Sequence, residues 1–96
     1  MERGGIVRFK TYEWDSANTS HILRHEVIPN EAEEACYNNP LLIRTREGRY
    51  LVLGRSDAGR YLSIVLIPKG KGVARVITAR DMDYKERNLF EGRDLK

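Results

Sequence analysis

In the second half of the chain, apolar and polar residues alternate over four short runs. Leu41 to Arg46, Arg49 to Arg55, Tyr61 to Pro68 and Val73 to about Arg80 each read as a strand, because successive side chains of a strand point to opposite faces. The connections are brief. Glu47-Gly48 suits a tight hairpin, Ser56-Asp57-Ala58-Gly59 a slightly longer one, and Lys69-Gly70-Lys71-Gly72 makes the next turn. Short connections imply antiparallel neighbours, so a four-stranded meander is predicted. Alternation along its last strand puts Val76, Thr78 and Arg80 on one face and Arg75, Ile77 and Ala79 on the other.

The first half follows a helical pattern. After a strand candidate at Ile6-Val7-Arg8-Phe9, Asp15 is placed to cap a helix from about Ser16 to His25. Asn18, Ile22 and His25 would share one face of it. Pro29 and Asn30 open a second helix, with Glu31, Glu33 and Glu34 where the N-terminal dipole favours negative charge. Ala32, Ala35 and Cys36 form its narrow apolar stripe, and Asn38-Asn39-Pro40 ends it. Asp83 and Glu86 have the spacing of a capping box opening a last helix through Glu91, ended by Gly92. Leu89 and Phe90 would dock that helix on the sheet. The order is strand, two helices, four-stranded meander, helix. Helices covering one face of an antiparallel sheet make an α+β domain.

Composition narrows the class. The 96 residues suffice for one domain, and 41% apolar with 32% charged residues is a globular balance. No apolar run approaches the ~20 residues of a membrane span, and the opening Met1-Glu2-Arg3-Gly4-Gly5 does not read as a secretory signal. Cys36 is alone, so it is expected as a small packed apolar residue, and a cytoplasmic location is the default. The net charge is +3, but unevenly spread. Arg44, Arg46, Arg49, Arg55, Arg60, Lys69, Lys71, Arg75 and Arg80 are opposed only by Glu47 and Asp57. Either an anionic partner, nucleic acid or acidic protein, or a sheet edge guarded by charges would account for that field.

Four segments then resemble a known family. They are Trp14-Asp15 with Asn18; Ile22-x-Arg24-His25-x-Val27; Glu47-Gly48-Arg49-Tyr50 through Leu53-Gly54, Gly59-Arg60 and Leu62; and Arg75-Val76-Ile77-Thr78-Ala79-Arg80 followed by Lys85-Glu86-Arg87. In this order and spacing they resemble the BrnT family of ribonuclease toxins. The chain departs from that pattern at Ala17, where the family often has Lys, at Glu26, where it has Gly, and at Met82-Asp83, where it has Ala-Thr. The resemblance implies a RelE-like fold and an endoribonuclease silenced by an antitoxin. That antitoxin is usually a small ribbon-helix-helix protein, through which alone operator DNA would be contacted.

Among the residues, metal-free RNA cleavage is the chemistry best provided for. It needs a base for the 2′-hydroxyl proton and cations for the developing phosphorane charge. His25 is the conventional base candidate, in the pH range an imidazole serves. Arg60 begins one central strand and Arg80 ends its neighbour, so the two are expected to meet at one edge. Arg24, Arg49 and Arg75 are expected to hold the RNA backbone. No cofactor and no metal is called for. His21 and His25 have zinc-compatible spacing but lack further ligands. Two alternatives stand beside this reading. Arg80 could serve only as a salt bridge to Glu86 or Asp83, and the chain could be a non-catalytic module that pairs with a DNA-binding antitoxin. The antitoxin is expected on the same basic face, flanked by Tyr50 and Tyr61.

Overall fold

A computed structural model describes residues 9–93. Its elements are β1 (Thr11–Glu13), α1 (Ser16–Leu23), α2 (Pro29–Tyr37), β2 (Leu41–Arg44), a 3₁₀ turn (Arg46–Gly48), β3 (Tyr50–Arg55), β4 (Tyr61–Gly70), β5 (Val73–Asp81) and α3 (Tyr84–Glu91). The sheet runs β1-β5-β4-β3-β2. β2 to β5 form the antiparallel meander, in the register Arg44 to Tyr50, Arg55 to Tyr61 and Ser63 to Arg80. β1 lies parallel to β5, with Thr11 beside Val73 and Glu13 beside Arg75. The sheet is therefore mixed, not antiparallel throughout. β1 spans three residues at an edge, Thr-Tyr-Glu, and only Tyr12 is turned inward. That is too short a run to leave an alternation signal. Residues 6–8 of the N-terminal strand candidate lie outside the described residues, and Phe9 packs beside the core without joining a strand. Among the described residues no helix is long and apolar enough to cross a membrane.

Asp15 caps α1 as its sequence position predicts. Its carboxylate accepts from the amides of Ala17 and Asn18, and the Asn18 side chain accepts from the Asp15 amide in return. Asn18 is buried, and its amide nitrogen donates to the Glu13 and Val76 carbonyls, which ties β1 and β5 to the helix. α1 ends sooner than predicted. The Val27 amide reaches back to the Ile22 carbonyl and the Glu26 amide to that of Leu23. This is a Schellman-type stop, whose flanking apolar pair, Ile22 and Val27, is fully buried. His25 thus leaves the helix and is exposed, so it does not share the buried face of Asn18 and Ile22. The stop needs a left-handed residue, and Glu26 takes it at φ 61°.

α2 begins with Pro29 in its first turn, so Asn30 lies inside the helix and is not its cap. The Glu31 carboxylate accepts from the Ile28 amide instead. Ala32, Ala35 and Cys36 are all buried. Gly54 of β3 passes directly beneath α2, where a β-carbon would overlap the Ala35 carbonyl oxygen. Glycine is required there by close approach.

The helices cover both faces of the sheet, not one. Ile22, Val27, Ala32, Ala35 and Cys36 pack on Val52, Leu62, Ile64, Leu66, Ala74, Val76 and Ala79. Ser63 points to the opposite face, where α3 lies and its Glu86 accepts from the Ser63 hydroxyl. α3 docks through Phe90, whose ring meets Tyr61 edge-on, while Leu89 is exposed. The bulge in β4–β5 pairing explains a further correction. Val65 pairs with Thr78 but Leu66 with Val76, so Ile77 is an extra residue. Phase shifts there, and Ala79 joins Val76 on the core face while Arg80 turns to the α3 face.

Two expectations follow. Relieving the left-handed strain with Glu26→Gly should raise stability by ~0.5–1 kcal/mol, or a few degrees of Tm in a domain of this size. A lower Tm would show that the Glu26 side chain contributes more than its backbone costs. Glu86 gives the second. Burial opposes its ionisation, but bonds from Arg80, the Asp83 amide and Ser63 outweigh that and hold its carboxyl below the ordinary value of 4.5. Its stabilising effect is therefore complete above about that pH and is lost as pH falls through the lower folded value. Glu86→Gln should cost about 1 kcal/mol at pH 7 and flatten the acid limb of stability measured by urea unfolding.

Candidate active site

The end of the sheet where β4 begins and β5 finishes carries most of the residues singled out by sequence. Arg60 precedes β4 and turns toward α1 and α2. Its Nη1 donates to the Glu26 carbonyl at 2.6 Å and to the Glu31 carboxylate at 3.2 Å, and its Nη2 to the His25 carbonyl at 3.2 Å. Its Nε donates to Asp81 at 2.8 Å. These carbonyls are the orphan acceptors left where α1 stops. The Asp81 bond, helped by Glu31, pushes the Arg60 pKa above its ordinary value. Four of the five guanidinium N–H groups are thereby used.

Arg80 is bound differently. It forms a two-pronged pair with Glu86, at 2.8 and 2.9 Å, and donates to the Asp81 carbonyl at 3.0 Å. The Glu86 bonds raise its pKa. Nε–H and one Nη2–H remain unspent among the described residues. The salt bridge to Glu86 weighed from the sequence is thus present, and it leaves donors for a ligand.

Arg60 and Arg80 share this end but not one face. Register sets Ser63 opposite Arg80 and Leu62 opposite Asp81, so Arg60 lies beyond the end of β5 on the core side. A cleft of ≈ 320 Å³ opens beside them, lined by Arg24, His25, Glu26, Arg80 and Asp81. Arg60 bonds His25, Glu26 and Asp81 from behind. The His25 ring meets that of His21 edge-on at 5.9 Å. The structure thus brings together Arg24, His25 and Arg80, with Arg60 supporting them.

Arg49 and Arg75 are not part of this group. Arg75 is held by Glu13 at 3.1 Å and Asp15 at 2.8 Å, bracing β5 against the start of α1. Asp15, bonded first by Arg75, is lowered in pKa in consequence. Arg49 precedes β3, and because β3 and β4 are antiparallel it sits at the opposite end of the sheet from Arg60. Tyr50 and Tyr61 are separated in the same way. The single basic face expected from sequence is therefore two surfaces. Cys36 is buried against Tyr12, and burial pushes its thiol up to about 12, which leaves it protonated and inert.

Asp81 and Glu31, which hold Arg60, are not identifiable from sequence as its partners. Glu31 reads there as a dipole-favoured helix residue, and no spacing rule joins it to position 60. Arg55 carries no sequence signal of its own either. It stacks on Tyr61 at 4.5 Å from the ring centre and lines a second cleft of ≈ 500 Å³ with Asn38, Asp57, Phe90 and Arg93.

The sequence from residue 14 to residue 86 matches the family described as the ribonuclease toxin, BrnT, of type II toxin–antitoxin systems. No curated protein matches it. Among solved structures the fold is similar to the 1.1 Å crystal structure of the Brucella abortus ribonuclease toxin, BrnT, at a TM-score of 0.63 and 17% identity, over 76% of this chain and 96% of that one. At that identity the likeness speaks for the fold. The family match covers most of the chain, which belongs to the BrnT family of toxins of type II toxin–antitoxin systems.

Proposed function

We propose that the chain is a metal-independent endoribonuclease of the cytoplasm whose active site is the cleft of Arg24, His25 and Arg80. The observation that carries this reading is that cleft. It joins an exposed imidazole to two guanidinium groups, one of them with unspent donors, in a chain of this toxin family. His25 would take the proton of the 2′-hydroxyl. The freed oxygen would form a bond to phosphorus as the bond from phosphorus to the 5′-oxygen breaks. Arg80 and Arg24 would stabilise the added charge, and the departing 5′-oxygen would take its proton from water in the open cleft. The products would be a 2′,3′-cyclic phosphate and a 5′-hydroxyl. Arg60 is a positioning residue in this scheme, since it holds the His25 carbonyl and has little left to offer a phosphate. Arg75 serves the fold.

The RelE-like character of the fold belongs to the same proposal. So does silencing by a ribbon-helix-helix antitoxin, with operator DNA reached through that partner. A second reading, a non-catalytic module that pairs with the antitoxin, draws on one observation: Glu86 already occupies two donors of Arg80.

The two arginines should separate in experiment. Arg60→Ala should cost about 2–3 kcal/mol of stability, because two carbonyls and two carboxylates lose a charged donor. Loss of cleavage in that variant would reflect unfolding of the α1–α2 junction. His25→Ala and Arg80→Lys should keep a native-like melting curve and lower the rate of RNA cleavage by roughly 10²-fold each. Unchanged cleavage by folded His25→Ala and Arg80→Lys would exclude this cleft. Antitoxin binding without any RNA cleavage by the parent would select the non-catalytic reading.

A further inference from the structure

The end of the sheet remote from His25 is built from two projecting turns that are rich in cations. In the β2–β3 turn, the Thr45 amide donates to the Arg49 carbonyl and the Arg49 amide to that of Arg46. Glu47 and Gly48 both take positive φ, at 62° and 74°. The turn is thus held in one shape that presents Arg44, Arg46 and Arg49 to solvent. The β4–β5 hairpin turns at Lys71 and Gly72, at φ 55° and 81°, the conformation of a type I′ turn. Lys69 and Lys71 are exposed on it, and the Lys10 side chain lies against Gly72. β3 and β4 are adjacent, so the two turns lie about 10 Å apart across the sheet, two strand spacings, with the β4–β5 hairpin projecting further along the strands.

Six cations thus share one rim, opposed within the turns by Glu47 alone. None of the six side chains forms an ion pair among the described residues. The contrast with the other end is chemical. There Arg60 and Arg80 are each held by carboxylates, as is Arg75 at the start of α1. Arg60, Arg75 and Arg80 are paired with acids, whereas the rim cations, like Arg24 of the cleft, form no ion pair among the described residues.

We infer that this rim is a second docking surface for single-stranded RNA, gripping the phosphate backbone without reading sequence. The inference rests on the proposed ribonuclease reading and extends it from the cleft to the body of the substrate. Two observations favour RNA over an acidic protein. A stable protein interface needs an apolar centre. Among the described residues the large exposed apolar ones are Leu23, Ile28, Tyr37, Tyr84 and Leu89, all on or beside the helices and none on the rim. Phe9 and Tyr50, the aromatics next to Lys10 and Arg49 in the chain, pack against the core. Secondly, the cations are spread over two separate turn tips, a pattern that suits a repeating anion. From Arg60 to Lys69 along β4 is roughly 30 Å at ~3.3 Å per residue. A substrate of a few nucleotides that fills the cleft would not reach the rim, whereas a long one would.

The test compares the parent protein with the triple variant Arg46→Glu, Lys69→Glu, Lys71→Glu. Binding is measured by fluorescence anisotropy to a 20-nucleotide 2′-O-methyl RNA, which lacks the attacking hydroxyl, over a series of salt concentrations. Cleavage of a trinucleotide is measured in parallel. The triple variant should bind the long strand at least about tenfold more weakly, and the slope of log affinity against log salt should shrink by about 2, near 0.7 for each phosphate no longer neutralised. Trinucleotide cleavage and Tm should match the parent. A set of Gln replacements at the same positions should give a smaller loss in the same direction, which keeps the result readable if reversal disturbs folding. Unchanged binding of the long strand by the folded variants would overturn the inference, as would equal loss on the trinucleotide. Unchanged RNA binding with weakened antitoxin binding would mark the rim as a protein surface and overturn it too. A parent that cleaves neither the trinucleotide nor an unmodified 20-nucleotide RNA, yet binds the 2′-O-methyl strand through the rim, would refute the nuclease reading and leave the rim standing.

Discussion

The Arg60 guanidinium is the junction at which four parts of the chain are secured. It bonds the carbonyls at the end of α1, the Glu31 carboxylate in the first turn of α2, and Asp81 at the end of β5, from a position at the head of β4. Without it, two carbonyls and two carboxylates at this corner would lose a charged donor. A guanidinium suits the place because it offers five N–H groups in one plane, and an ammonium could not span acceptors on three elements at once. The α1–α2 turn that carries Arg24 and His25 is tied to the end of the sheet by this side chain, beside the buried pair Ile22 and Val27.

Much of this fold can be read from the sequence because it depends on local rules. Asp15 and Asp83 cap the helices they are expected to cap, each with its reciprocal partner three residues on. The meander follows from turn residues a few positions apart. What stays hidden is non-local or very short. β1 is three mostly polar residues recruited to an edge by β5, and no period can be counted over three. The bulge at Ile77 inserts one residue that the alternation of β5 does not announce, so Ala79 and Arg80 exchange faces. Phe90 docks α3 on the sheet as expected, but the apolar pair Leu89 and Phe90 does not say which face the helix covers.

The site is legible as residue types and illegible as a constellation. His25, Arg24 and Arg80 do converge on one cleft. Arg49 and Arg75 do not, and strand direction decides the first of these. Residues that open two antiparallel neighbours, such as Arg49 and Arg60, necessarily lie at opposite ends. Arg75 is set apart by acids 60 and 62 residues away in sequence, Asp15 and Glu13. A count of positive charge cannot distinguish an arginine whose donors are spent on acids and carbonyls, such as Arg60, from one that keeps donors free beside its carboxylate, such as Arg80.

Glu26 links the Arg60 corner to the cleft. α1 must stop in a left-handed residue, a place that favours glycine, and this chain puts a glutamate there at φ 61°. The cost falls on the turn that presents His25, and Arg60 offsets it by bonding the Glu26 carbonyl directly. The same residue adds a negative charge to the lining of the cleft. If the cleft takes RNA as proposed, a carboxylate beside Arg24 and His25 would compete with phosphate for the same cations and weaken binding at low ionic strength more than a glycine would. On the proposed reading it would also make the cationic rim at the far end matter more. A cleft that attracts its substrate less strongly gains most from a remote surface that holds the strand while the scissile bond is positioned.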